Sequence, residues 1–160
     1  YIHTDANQNA NYMNRFDNGL SSSLIMLKGR TSLITELTGG MGSDRGNATG
    51  LTISPTYFIT PKWQIATRYQ LAGSNNAQGL SPQKRYEKPS GFVNGDSYQA
   101  GYVGINYYIA KHRLKLMNGI EYSNLSGQEA WTASSMIRVY WGPHGTTPFP
   151  TNMVLPLETD

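Results

Sequence analysis

Charged side chains recur on one side of several segments in which apolar and polar residues alternate. Four are cationic and two are carboxylates: Arg68, Arg113, Lys115, Arg138, Glu36 and Glu121. Rings of Arg or Lys are how anion pores select their ions, so this excess of positive charge could favour small anions. The same side chains could instead pair with one another and with further acidic groups, merely to solvate a wet surface. Composition and spacing leave both interpretations open.

A second basic cluster, defined by Lys84, Arg85 and Lys88, lies in the long polar segment 72–96. It could funnel anions or bind phosphate groups such as those of lipopolysaccharide. Solvation of a flexible loop is the simpler interpretation.

The residues for catalysis or metal binding are missing from the sequence. Cysteine is absent, which excludes thiol catalysis, disulfides and Cys-ligated metals. His3, His112 and His144 share no metal-ligand spacing, and no nucleophile, His and acid set accompanies Glu36 and Glu121. We therefore predict no enzyme, no metal and no cofactor. The formal charge of +3 is too small and too dispersed for a nucleic-acid partner.

The segment 97–126 predicts a long hairpin that would position several of these charges. Val103, Ile105 and Tyr107 alternate with Tyr102, Asn106 and Tyr108, and a turn follows at 110–111. Each arm has about a dozen residues, more than the roughly 9–11 that a tilted strand needs to cross a bilayer. The segment therefore predicts a pair of strands long enough to span a membrane.

The same alternation predicts an all-β fold. About seven strands are expected: Leu20–Leu27, Thr31–Thr38, Leu51–Ile59, Trp63–Leu71, Ser97–Ile109, His112–Ser123 and Ala130–Trp141. Residues 1–19 are interpreted as a polar loop or the end of a preceding loop. Residues 20–141 hold the strands, and the proline-containing tail 142–160 is expected to be non-strand.

The predicted connections alternate between short and long. Short turns are expected near residues 29, 61 and 110, and long loops at 39–50, 72–96 and 124–129. Outer-membrane β-barrels have short periplasmic turns and longer extracellular loops. The alternation thus predicts that arrangement, with the C-terminus on the periplasmic side.

The apolar side chains predict which face of the strands meets lipid. Turning a strand around would place Arg68 or Arg138 in hydrocarbon, at a cost of up to about 2–4 kcal/mol each. Aromatic residues would form two interfacial belts. The belt at the short-turn end would consist of Tyr57, Trp63, Tyr107 and Trp141, and the belt at the long-loop end of Tyr69, Tyr122 and Trp131. Only 14% of residues are charged, and no run of eighteen apolar residues exists to form a transmembrane helix.

Residues 101–116 have the sequence GYVGINYYIAKHRLKL, residues 119–122 have GIEY and residues 135–141 have SMIRVYW. These three stretches resemble the C-terminal strands of phosphate-selective porins, the porin O and P family. The resemblance implies a channel of roughly sixteen strands, trimeric, in the Gram-negative outer membrane, that conducts small anions and possesses no cofactor. Family members end near the aromatic residue of the last strand, whereas this chain continues through 142–160. About seven strands cannot close such a barrel, so we interpret the chain as the C-terminal portion of a larger porin.

The predicted function is therefore passive diffusion of small solutes, with a mild preference for anions and with phosphate implied by the resemblance alone. The expected partners are outer-membrane lipid, lipopolysaccharide, small anions, further copies in a homotrimer, and the remaining strands of the same or another chain. Two alternatives stay open: a scaffolding or plugged outer-membrane barrel, and a soluble β-barrel or sandwich that binds an apolar ligand.

Overall fold

The strands form one antiparallel sheet in which each strand pairs with the next along the chain. The computed structural model describes residues 2–3, 17–42, 46–110 and 113–140. Its strands are β1 (Ile2–His3), β2 (Asn18–Lys28), β3 (Thr31–Met41), β4 (Ala48–Thr60), β5 (Trp63–Ser74), β6 (Ser97–Ala110), β7 (Leu114–Leu125) and β8 (Gln128–Val139). β1 covers only two residues, so the sheet has seven long strands, all antiparallel. The seven strands predicted from the sequence are confirmed.

The strands extend further than the alternation predicts. β3 continues to Met41 and β4 begins at Ala48, so the connection predicted at 39–50 shrinks to residues 42–47. β5 continues to Ser74, which leaves the long loop at 75–96 with a short 3₁₀ turn at Lys88–Ser90. Strand pairing needs only backbone groups, so it continues past the last apolar side chain.

The loop predicted at 124–129 is wrong. Asn124 pairs with Glu129 and Leu125 with Gln128, and the turn consists of Ser126 and Gly127 alone. Both turn residues have positive φ, 50° and 85°, as the tightest two-residue hairpin turns require. The alternation of short and long connections therefore fails at this hairpin, and loop 75–96 is the one long connection within the described residues.

The start of β7 also differs from the prediction. The strand begins at Leu114, and Arg113 lies in the preceding turn, where its N–H bonds to the carbonyl of Ala110 at 3.0 Å. The turn predicted at 110–111 includes residue 111, which lies outside the described residues, as does His112. Arg113 is thus a turn residue and not part of the strand.

Pro55 interrupts the pairing between β4 and β5. No residues of the two strands are paired between the Ile53–Tyr69 pair and the Thr56–Ala66 pair, and the same register continues on either side of this gap. Proline has no N–H to donate to a ladder, and the Thr67 hydroxyl instead donates to the Pro55 carbonyl at 3.2 Å. The gap lies directly beside Arg68.

The register gives the sheet two chemically different faces, because directly paired residues share a face. The polar face bears Arg68, Tyr102, Glu121, Lys115 and Arg138. The apolar face bears side chains of the opposite parity, such as Ile65, Ile105, Leu116, Ile137 and Trp131. The faces are those that the alternation predicts.

Burial is inverted with respect to an ordinary soluble sheet. Large apolar side chains of the apolar face are exposed, among them Trp131 at 73%, Ile137 at 66% and Leu20 at 64%. The buried apolar residues are Ala100, Tyr108 and Leu125 on the polar face, and Phe92 in loop 75–96. Within the described residues, the small core therefore lies on the polar side of the sheet.

Candidate functional site

The centre of the polar face holds an ion pair between Arg68 on β5 and Glu121 on β7. The two side chains meet across β6 and bond through Arg68 Nη2 and Glu121 Oε2. The Arg68 guanidinium also lies 5.6 Å from the ring centroid of the intervening Tyr102. Glu121 is only 12% exposed, against 40% for Arg68. The positive charge predicted at Arg68 is thus compensated by its neighbour.

Tyr102 lies flat across two paired glycines of the polar face. Gly104 on β6 and Gly119 on β7 are directly opposite each other, and a Cβ at either would come closer than 3.0 Å to the Tyr102 ring. An aromatic ring that covers strand glycines restores the packing that they lack. The glycine pair therefore holds the ring beside the Arg68 guanidinium.

A second pair of charges near the short-turn end consists of two cations. Lys115 on β7 and Arg138 on β8 are directly paired, and the Lys115 Nζ lies 5.3 Å from the ring centroid of Tyr108. In the described part of the chain, neither cation forms an ion pair with a carboxylate. Within these residues, this place combines two positive charges that no carboxylate pairs with and the Tyr108 ring.

The remaining predicted pore-lining residues are Glu36 and Arg113. Glu36 belongs to the polar face of β3, opposite Thr52, and accepts a hydrogen bond from the Ser21 hydroxyl at 3.1 Å. Arg113 lies in the turn before β7, where its carbonyl accepts a hydrogen bond from the Tyr140 N–H at 2.8 Å. The structure thus places four of the six predicted residues in a neutral pair and a cationic pair, with Glu36 on β3 and Arg113 in the turn before β7.

A chain of amides and hydroxyls crosses four strands of the polar face. The Gln64 Oε1 accepts bonds from Asn106 at 2.9 Å and from the Tyr108 hydroxyl at 2.7 Å. Its Nε2 donates to Thr56 at 3.1 Å, and Thr56 bonds in turn to Ser32 at 2.6 Å. Gln64, Asn106 and Tyr108 are buried. Alternation along the sequence places each member of this network on the polar face but gives no sign of the hydrogen bonds between them.

The basic cluster of loop 75–96 is divided by the fold. Lys84 and Lys88 line an open cavity of about 480 Å³ together with Ser81, Phe92 and Asn94. Arg85 points elsewhere, because its guanidinium stacks on Tyr86 with 5.2 Å to the ring centroid. Two of the three predicted cations therefore share one concave surface.

The aromatic residues predicted as belts lie on the apolar face in two groups. Trp63 and Tyr107 pair with 4.6 Å between ring centroids, while Tyr122 and Trp131 pair with 5.1 Å. Tyr57 lies opposite Ile65, near the first group, and Tyr69 lies in the same row as Tyr122. Trp141 lies outside the described residues. Six residues separate Trp63 from Tyr69, or about 20 Å along the strand.

Two negative findings concern the described residues. They contain no cluster of three His, Cys, Asp or Glu side chains that could hold a metal ion. They also contain no helix long and apolar enough to cross a membrane.

Comparison with known proteins gives no assignment. No family model, no curated protein and no solved structure matches this chain. The resemblance to phosphate-selective porins therefore stays an expectation.

Proposed function

We propose that the sheet is part of an outer-membrane β-barrel, in which the apolar face meets lipid and the polar face lines a water-filled channel. The observation that carries this proposal is the inverted burial, with exposed Leu, Ile and Trp on one face and the buried residues on the other. Monomeric soluble proteins rarely expose such a continuous apolar surface. A lipid-facing barrel requires one, with aromatic residues near both of its borders.

The charges of the polar face support a mild preference for small anions. The Arg68–Glu121 pair has no net charge, whereas Lys115 and Arg138 add two positive charges at one place. A water-filled lumen with low-dielectric walls focuses the field of such charges. The preference therefore depends mainly on Lys115 and Arg138, with phosphate as the candidate that the porin resemblance adds.

The edges of the sheet support the addition of further strands. β8 pairs with β7 alone within the described residues, and β2 pairs with β1 over only two residues. Unpaired backbone groups are not tolerated in hydrocarbon, so a membrane location requires strands on both sides. We propose that strands of the same or another chain close the barrel, as in the trimeric family that the sequence resembles.

A plugged barrel is the second candidate, favoured by one observation. Loop 75–96 packs onto the polar face through Glu87, which bonds to Tyr98 at 2.9 Å. A soluble protein that binds an apolar ligand would need another element to cover the apolar face. Loop lysines 84 and 88 are candidate contacts for lipopolysaccharide phosphates or for incoming anions.

Reconstitution of the purified natural protein in planar bilayers tests the proposal. We expect a stable conductance and a reversal potential of the anion-selective sign in a KCl gradient. A folded, monodisperse protein in buffer without detergent would overturn the membrane location. A membrane-inserted protein without conductance would favour the plugged barrel.

A further inference from the structure

Loop 75–96 contains the one charged side chain that is buried within the described residues. Glu87 is 2% exposed, and each of its carboxylate oxygens accepts a hydrogen bond. The Tyr98 hydroxyl donates to Oε1 at 2.9 Å, and the N–H of Gln83 donates to Oε2 at 2.6 Å. Burying a charge is expensive unless it is hydrogen-bonded in this way. Glu87 therefore fastens the loop to the polar face at the start of β6.

A second set of contacts fastens the same loop to β8. The Val93 N–H donates to the Gln128 Oε1 at 2.7 Å, and the Gln128 Nε2 donates back to the Val93 carbonyl at 3.2 Å. Gly95 lies against the fully buried Leu125 at the end of β7. Tyr98, Leu125 and Gln128 form one row across β6, β7 and β8 on the polar face.

The loop also has internal order that a solvated connection lacks. Leu80 and Gly95 exchange two backbone hydrogen bonds, at 2.8 and 3.0 Å, and Phe92 is buried. The loop is thus a folded cap that covers the long-loop end of the polar face. In the proposed channel, this position is the mouth.

We propose that loop 75–96, held by the Glu87–Tyr98 and Val93–Gln128 contacts, sets the size limit and the conductance of the channel. This inference rests on the proposed function, because the polar face is a channel wall only if the sheet belongs to a water-filled barrel. The cap narrows the mouth, and its Lys84 and Lys88 side chains meet a solute before the wall residues do. Release of the cap widens the passage.

Tyr98→Phe tests the attachment itself by a measurement that needs no channel activity. The variant keeps the ring and removes the hydroxyl bonded to Glu87. A hydrogen bond to a charged group is worth about a factor of ten or more in an equilibrium, so tryptic cleavage after Lys84 and Arg85 should accelerate roughly tenfold. Tyr140→Phe is the control, because it also removes one hydroxyl but from an exposed tyrosine at the opposite end of the sheet, and its cleavage rate should equal that of the wild type.

The effect on the channel is measured with the same variants and with Gln128→Ala, which removes the two bonds to Val93 and so releases the cap at a second place. Tyr98→Phe and Gln128→Ala should each raise the single-channel conductance and admit larger sugars in liposome swelling, while Tyr140→Phe does neither. If the wild type conducts and both released variants keep its conductance and its sugar size limit, the inference about loop 75–96 is overturned while the proposed channel function stands. This holds whether or not tryptic cleavage accelerates. Absence of conductance in the wild type and in both released variants would instead overturn the proposed channel function.

Discussion

Lys115 and Arg138 lie directly opposite each other on β7 and β8, and neither forms an ion pair within the described part of the chain. Like charges at directly opposed positions of a sheet destabilise it. Arg68 on the same face has its charge compensated by Glu121, so the polar face combines a neutral ion pair with a pair of cations.

Neutralising the cationic pair should remove the anion preference that we propose for the channel. For Lys115→Gln with Arg138→Gln, we expect the reversal potential in a KCl gradient to move toward zero or to the cation-selective sign. The matched control is Arg68→Gln with Glu121→Gln, which removes two opposite charges and should change the potential little. Equal shifts in the two double variants would contradict this assignment of the preference.

Replacing one cation by an acid should stabilise the sheet. In Lys115→Glu, the repulsion with Arg138 becomes an attraction across the strand pair, worth about 0.2–1 kcal/mol. The measurement is the free energy of unfolding in urea, in detergent or lipid. Lys115→Gln should show a smaller gain, because it removes the repulsion without adding an attraction. A loss of stability in Lys115→Glu would show that the Lys115–Tyr108 contact matters more than the repulsion.

Breaking the Arg68–Glu121 pair from one side should destabilise the protein more than removing both partners. Arg68→Met leaves the largely buried Glu121 carboxylate without its partner, at an expected cost of about 1–3 kcal/mol. Adding Glu121→Gln should recover much of that loss. Free energies of unfolding for the two single variants and the double variant give the coupling. Additive effects would mean that water replaces the guanidinium beside Glu121 at no cost in stability.

The tie between loop 75–96 and the last hairpin should depend on pH. The Ser126 hydroxyl donates to the Asp96 carboxylate at 2.9 Å, and this bond is the main cause that holds the pKa of Asp96 below its ordinary 3.8. A carboxylate with a lowered pKa stabilises the fold above its ordinary pKa and loses that contribution as the pH falls through the lowered value. The tie is therefore expected to hold at neutral pH and to weaken as the pH falls below 3.8.

Ser126→Ala should raise the pKa of Asp96 toward its ordinary value. Titration of the Asp96 carboxyl carbon by NMR in micelles measures the midpoint. Ser134→Ala on β8, whose hydroxyl bonds to the Gly119 carbonyl at 3.4 Å, is the control and should leave the midpoint in place. An unmoved midpoint in Ser126→Ala would exclude the hydroxyl as the cause.

Alternation was sufficient to predict the strands and their faces, because each strand has one apolar side with period two. Ser97–Ile109 was predicted within one residue of β6. The predicted loop at 124–129 failed because polar residues such as Asn124 and Glu129 can pair as a strand once Ser126 and Gly127 make the turn. A change to polar residues therefore marks where the apolar side chains of a strand end, and not where its backbone pairing ends.

The side-chain partnerships needed the register. Arg68 and Glu121 are far apart in sequence, and only the placement of β6 between β5 and β7 brings them together. Glu87 had no local signal of burial, since its partners are the Tyr98 hydroxyl and the backbone of Gln83. A polar stretch rich in Gly, Ser and Pro reads as solvated loop when its tertiary contacts are unknown.

Tyr102 makes the two paired glycines unequal in a way that mutagenesis can measure. At Gly119, each of the three nearest atoms that an added Cβ would meet belongs to the Tyr102 side chain, whereas at Gly104 it would also meet the Asn118 backbone carbonyl at 2.8 Å. Both Gly119→Ala and Gly104→Ala should destabilise the sheet by about 1–3 kcal/mol, the usual cost of overpacking. Combining each with Tyr102→Ala should remove the penalty of Gly119→Ala but only part of that of Gly104→Ala, because a backbone carbonyl cannot swing aside. Urea unfolding of the single and double variants measures the two couplings. Equal rescue at both positions would mean that the β6–β7 backbone relaxes around the new methyl group.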